Sequence, residues 1–175
     1  NEGDLDTSVD SGSLTSVDQW MQSTLQRRTS AITEAMHSYR FDLAARNLYE
    51  LVWDEFCDWY LELSKPILQS EDSAAPEVII KRQTLMSVLR DILRLAHPFI
   101  PYITEEIWQQ LPIAANAEQT ALVQEAYPLA EDALINTQAE QDLKWVMDVI
   151  TGTRNIRGEM NISFARKIPI LLANG

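Results

Sequence analysis

One stretch of this chain, Tyr39 to Lys65, holds most of the side chains that could do chemistry. Asp42, Arg46, Tyr49, Trp53 and Cys57 recur every three or four residues, so a helix would set them in one line. An arginine between two large aromatics, each with a polar atom at its tip, suits either a second packing surface or a platform for a flat ligand. Arg154, Asn155 and Arg157 form a second basic and polar group. It suits phosphate contact, or a helix C-terminus where cations meet the dipole and Gly158 closes the helix. Other chemistry is thin. Glu34-Ala-Met-His37 has the Glu-x-x-His form of di-iron bundles, but such a site needs two pairs, and His97 has Arg94 three positions earlier. One cysteine and two histidines make no zinc set, and there is no GxGxxG or GxxxxGK[ST] loop. Cys57, amid Phe56, Asp58 and Trp59, reads as a packed, inert thiol. On these motifs the chain reads as non-catalytic, with no cofactor of its own.

The elements that must position these residues are helices. Residues 1–15 are Asp, Ser, Thr and Gly with little to bury, and read as a linker or disordered arm. Ser16 with Gln19 has capping-box form and starts a helix running to about Ser38. A second helix, N-capped by Asp42, buries Phe41, Ala45, Leu48, Val52, Phe56, Trp59 and Leu63, and ends near Ser64 because Lys65 precedes Pro66. After a loop at 69–76, a third helix from Glu77 to Ala96 is apolar nearly all round, which predicts the central, most buried element. Lys81-Arg82, Arg90 and Arg94 read as its solvated edge, with Arg90 and Arg94 pairing to Asp91, Asp54 or Glu55; Arg27-Arg28 reads as a solvated face of the first helix. Pro101 opens a short fourth helix ending near Leu111. A short strand at 121–124, a last helix from about Ile135 to Arg157, and an edge strand at 167–172 complete the reading. The expected fold is an all-α, antiparallel helical bundle over 16–158 with a short β tail in 159–175.

The chain has 175 residues, 46% of them hydrophobic, which suits one domain with a packed core. No apolar run is long enough to span a membrane, and one cysteine fits a reducing compartment. A net charge of -12 argues against nucleic acid, but its distribution weakens that objection. Residues 1–18 and 116–142 carry eleven of the 26 acids and no base, which leaves fifteen acids against fourteen bases elsewhere. The missing initial Met, and an end just after an apolar run, read as the ends of a fragment.

Several strings, in order, resemble one family, the bacterial valyl-tRNA synthetases of class I. The segment Tyr39–Lys65 is similar to the core of the family's anticodon-binding domain. Leu95-Ala-His-Pro-Phe-Ile-Pro-Tyr-Ile-Thr-Glu-Glu-Ile-Trp108 resembles a motif shared by valyl, leucyl and isoleucyl enzymes. Glu55-Phe-Cys-Asp-Trp-Tyr60 and Arg154-Asn-Ile-Arg-Gly-Glu-Met-Asn-Ile162 resemble the valyl member, as do Gly3-Asp-Leu-Asp-Thr7 and Asp18-Gln-Trp20. Phe164 departs from the pattern, which has proline there. The ATP-handling signatures, the editing domain and the C-terminal coiled-coil arm of the family are missing. The resemblance therefore implies a cytoplasmic, monomeric fragment that binds the anticodon stem-loop of a valine tRNA without catalysis. ATP, Mg and the catalytic domain belong to the parent enzyme.

The resemblance also implies roles. Proteins read splayed single-stranded bases by stacking and by hydrogen bonds to base edges. Tyr49 and Trp53 would stack, Arg46 would stack or hold a phosphate, Asn47 and Glu50 would meet base edges, and Arg40 would hold backbone phosphate, as would Arg154 and Arg157 with Asn155. The alternative is that Tyr49 and Trp53 pack against the first or fourth helix, in a helical protein-interaction or interdomain scaffold with no RNA role.

Overall fold

The computed structural model describes residues 14–112, 120–163, 165–167 and 169. The described chain is all-helical and forms a helical bundle, in two compact units, Asn1–Glu140 and Gln141–Gly175. In the first unit, α1 (Ser16–His37) packs on α2 (Phe41–Tyr49), on a wider-wound stretch (Glu50–Leu61) continuous with it, and on α4 (Pro76–Ala96). The rod begun by α2 ends in α3 (Glu62–Leu68), which also packs on α4, and α5 (Pro101–Gln110) closes against α4. Single 3₁₀ turns stand at Leu122–Gln124 and Asp132–Leu134, and α6 (Thr137–Glu159) begins in this unit and runs into the second. The strand expected at 121–124 is the first of these turns. Its Leu122 is buried in an apolar cluster with Leu93 and Trp108. The described residues contain no strand, and positions 168 and 170–172 of the expected edge strand lie outside them, as do residues 1–13 of the expected arm.

The cap of α1 is one residue earlier than expected. Thr15, not Ser16, is the N-cap, and its partner is Asp18: the Asp18 amide donates to Thr15 Oγ1 at 3.3 Å, and the Thr15 amide donates to Asp18 Oδ2 at 3.1 Å. Both pairings fit the local sequence. What selects this one is distant. Asp18 is buried, and its other oxygen accepts from Tyr60 Oη at 2.8 Å and from Lys81 Nζ at 2.5 Å. Lys81 is therefore not on a solvated edge; it is 1% exposed, with its ammonium 5.4 Å from the Tyr60 ring centre. Burial in the face of a carboxylate holds the Tyr60 hydroxyl well above the ordinary phenol pKa. The first helix, with Met21, Ile32 and Ser23 fully buried, is more enclosed than α4, where Ile79 is 42% exposed.

The second rod corrects the expected core face. Its buried residues are Ala44, Leu48, Leu51, Phe56, Tyr60 and Ser64, whereas Phe41 and Ala45 are exposed. The step from Leu51 to Phe56 is five residues, because Glu50–Leu61 is wound with i to i+5 bonds and its face drifts from a 3.6-residue line. The helix also starts at Phe41 rather than after Asp42, with no side-chain cap, and it does not stop before Pro66. Pro66 sits within its last turn and the helix runs on to Leu68.

Candidate nucleic-acid interface

The line Asp42, Arg46, Tyr49, Trp53 lies on the outer side of the second rod. Tyr49 is 61% and Trp53 55% exposed, so neither is packed on α1 or α5. Their rings are nearly parallel, 14° apart with centroids 6.5 Å apart. Arg46 is largely exposed and donates to Glu50 Oε1 at 2.8 Å, one turn on. Arg40, before α2, makes a two-pronged pair with Asp42 at 2.9 and 2.8 Å. That hydrogen bond holds the Asp42 carboxyl down at about 2.

Beneath this surface lies a network not legible in the sequence, where Arg28 was read as solvated. Arg28 forks onto Glu55 at 2.7 and 3.1 Å, and its remaining nitrogen donates to Asn47 Oδ1 and Glu50 Oε2, both at 2.8 Å. Burial works against its charge, but the hydrogen bonds and charges of Glu55 and then Glu50 outweigh it, and the guanidinium pKa stands above the ordinary value. Glu50 is held below the ordinary carboxylate range by the Arg46 hydrogen bond, with Arg28 adding to it. Asn47 is committed at both ends, since its Nδ2 also donates to Leu43 O at 2.9 Å. Asn47 and Glu50 thus tie the second rod to Arg28 of α1 beneath the aromatic line. Arg94 does pair with Asp91, at 3.5 Å, but Arg90 donates to Pro112 O and Glu55 belongs to Arg28. Cys57 is half-buried, and burial together with the Asp58 charge pushes its thiol pKa up, away from thiolate chemistry.

The other expected residues lie in the second unit. Arg154 and Asn155 are exposed near the end of α6. Arg157 Nη2 donates to the carbonyls of Ser163 and Arg166 at 2.6 and 2.8 Å, so part of its fork ties down the chain that follows. Gly158 does not close the helix. Asn161, at φ 50°, does so, with Ile162 N donating to Arg157 O.

What the first unit offers is an exposed, parallel aromatic pair beside an arginine, held rigid from below. Such a surface can stack flat rings and neutralise a phosphate next to them. No helix among the described residues is long and apolar enough to cross a membrane.

Comparison with known proteins gives the same direction. Residues 18–172 match the family described as the anticodon-binding domain of tRNA ligase. The chain is 43% identical over 157 residues to the valine–tRNA ligase of Acinetobacter baylyi, strain ADP1, and 44% identical over 157 residues to those of Legionella pneumophila, strains Lens and Paris. These matches cover 90% of this chain but 16% and 17% of the relatives, so it spans about a sixth of their length.

Proposed function

Because this chain belongs to the anticodon-binding domain family of tRNA ligases, we propose that it holds the anticodon stem-loop of a valine tRNA as part of a valine–tRNA ligase. One observation carries the residue-level reading. Tyr49 and Trp53 stand parallel and exposed on a rod whose opposite side is core, where a protein that only needed burial has no use for them. Unpaired bases of the loop stack on these rings, and Arg46 and Arg40 turn from Glu50 and Asp42 to adjacent phosphates. Arg28 keeps the platform in register with α1 through Glu50, Asn47 and Glu55. Arg154 and Asn155 offer a further contact to RNA backbone. Within a complete ligase, ATP and Mg would be handled elsewhere. The domain's part is to spend remote binding energy on registering the acceptor end with a distant active site. We place that ligase in the cytoplasm, with this domain a monomer.

A titration of the chain with a valine anticodon stem-loop, beside one with a scrambled anticodon, at 50 and 200 mM salt tests the reading. Tighter binding to the valine loop is expected. With two phosphates neutralised by Arg40 and Arg46, affinity should fall about sevenfold over that salt range. No binding, or affinity flat in salt, would overturn it. The scaffold reading has one observation of its own, the exposed Ile100, Tyr102, Ile103 and Ile107 on and beside α5. A Tyr102→Ala, Ile103→Ala variant that still binds the loop assigns that face to something other than RNA.

A further inference from the structure

The corner between α1 and α2 presents a second aromatic pair that the stripe reading does not use. Tyr39 closes α1 with φ 57°, Arg40 N donating to Ala35 O at 2.8 Å and Tyr39 N to Met36 O at 3.1 Å. This is the left-handed helix-end position that glycine fills most readily, because a Cβ there crowds the following carbonyl. At the end of α6 the matching position is Asn161, one of the few other residues that tolerate it. Such a conformation is strained for a residue other than glycine. Tyr39 is 81% exposed, and its ring meets Phe41, itself 53% exposed, edge-on at 6.3 Å and 88°. Backbone strain and apolar exposure therefore coincide at one point, and each is a feature of ligand sites.

Ser38 and Arg40, the two neighbours of Tyr39 in sequence, line a cleft of about 490 Å³. Ala31, Ala35 and Leu43 supply apolar lining, and Glu34, Ser38 and Arg40 supply polar groups. That composition fits one flat heterocycle with hydrogen-bonding edges and a neighbouring phosphate. Glu34 accepts from a ring N–H or exocyclic amine, Ser38 donates or accepts, and Arg40 meets the phosphate. Asn47 also lines it, and the linked pairs Asn47–Arg28, Arg28–Glu50 and Glu50–Arg46 connect it to Arg46 of the stripe. Phe41 and Tyr49 are eight residues apart along the rod, ~12 Å at helical rise. That distance matches three or four stacked nucleotides at ~3.4 Å each, so one loop can reach both.

We propose that the Tyr39–Phe41 corner and its cleft form a second subsite for an unpaired nucleobase of single-stranded RNA. This rests on the RNA reading above and adds to it a position the aromatic stripe cannot serve. Two variants separate it from structure. Tyr39→Gly removes the ring and relieves the left-handed position, and Tyr39→Asn removes the ring while keeping the conformation. Each is titrated against the valine anticodon stem-loop carrying 2-aminopurine at successive loop positions, beside wild type and Trp53→Ala, and each is melted.

The expected result is that Tyr39→Gly melts higher than wild type. Both Tyr39 variants should bind the loop about 5- to 150-fold more weakly, the range that loss of one stacked base gives. Quenching of 2-aminopurine should be lost at a loop position different from the one lost in Trp53→Ala. Tyr39 variants with wild-type affinity, while Trp53→Ala loses binding, would overturn the subsite and leave the stripe standing. Lower melting of Tyr39→Gly would also overturn it, by showing that the ring is held by packing. If wild type does not bind the loop, the RNA reading fails and the subsite with it.

Discussion

Trp53 and Phe56 lie three residues apart on the same rod, and truncating each to alanine should produce opposite phenotypes. Phe56 is 6% exposed and tilted against Tyr60 at 5.9 Å. Phe56→Ala opens a cavity in the core, which typically costs ~3–5 kcal/mol. For a chain of this size that lowers Tm by roughly 6–20 °C. Trp53 is 55% exposed and contributes no core volume. Trp53→Ala should change stability by no more than about 0.5 kcal/mol, within ~2 °C, helped by alanine's better helix propensity. Its cost falls on binding. Losing one stacked base is worth ~1–3 kcal/mol, a 5- to 150-fold weaker complex with the anticodon loop. Calorimetric melting and a fluorescence titration on the same two preparations read both quantities. Trp53→Ala that melts as low as Phe56→Ala would show that the ring is packing. Trp53→Ala that melts normally and binds within twofold of wild type would remove the platform altogether.

Three further outcomes follow from the network and the ion pairs. Lys81→Met should cost ~3–5 kcal/mol in urea unfolding, because it leaves the Asp18 charge buried without its cation. Adding Asp18→Asn should cost less than the sum of the two single changes, and strict additivity would refute the pairing. Arg28→Met should lower stability by about 2 kcal/mol and also weaken loop binding, since Glu50 and Asn47 lose their common anchor; unchanged melting and binding would refute its role as a strut. Asp42 has a depressed folded-state pKa, so the stability its pair contributes is present above the ordinary carboxylate value and is lost as pH falls through about 2. A carbon-detected NMR titration should place its midpoint at about 2 in wild type and nearer 3.9 in Arg40→Gln; a wild-type midpoint near 3.9 would refute the pairing.

Some local signals were readable and others were not: Pro66, read as a stop, lies inside the last turn of the rod. Pro101 in the first turn of α5 follows from proline's fixed φ and missing donor, whereas Pro76, read as the end of a loop, opens α4. The aromatic and arginine line on the second rod was readable as a line, but not as a surface. Only the packing of α1 and α4 on the rod shows that, among the described residues of the first unit, nothing buries Tyr49 and Trp53. The core face of that rod was misplaced because an i to i+5 segment breaks the 3.6-residue period on which the reading depends. Lys81 was read as a surface residue because its neighbour is Arg82, and its partner Asp18 is 63 positions away. Arg28 was misread for the same reason, its partners being 19 to 27 positions distant. Tyr39 shows a third kind of miss. Apolar periodicity gives no sign of its exposure, because a helix end places it where no face continues.

The Asp18 carboxylate also constrains the order of events while the chain is being made. It leaves the ribosome 42 residues before the Tyr60 hydroxyl and 63 before the Lys81 ammonium that complete its shell. At ~5–20 residues per second the interval before Lys81 is synthesised is roughly 3–12 s. During that time the start of α1 carries a charge destined for the interior with no cation to accompany it, so the helix that begins the domain is among the last parts able to settle. That segment of the nascent chain is accordingly a stretch for chaperones to hold, and its burial marks the moment at which α4 has docked.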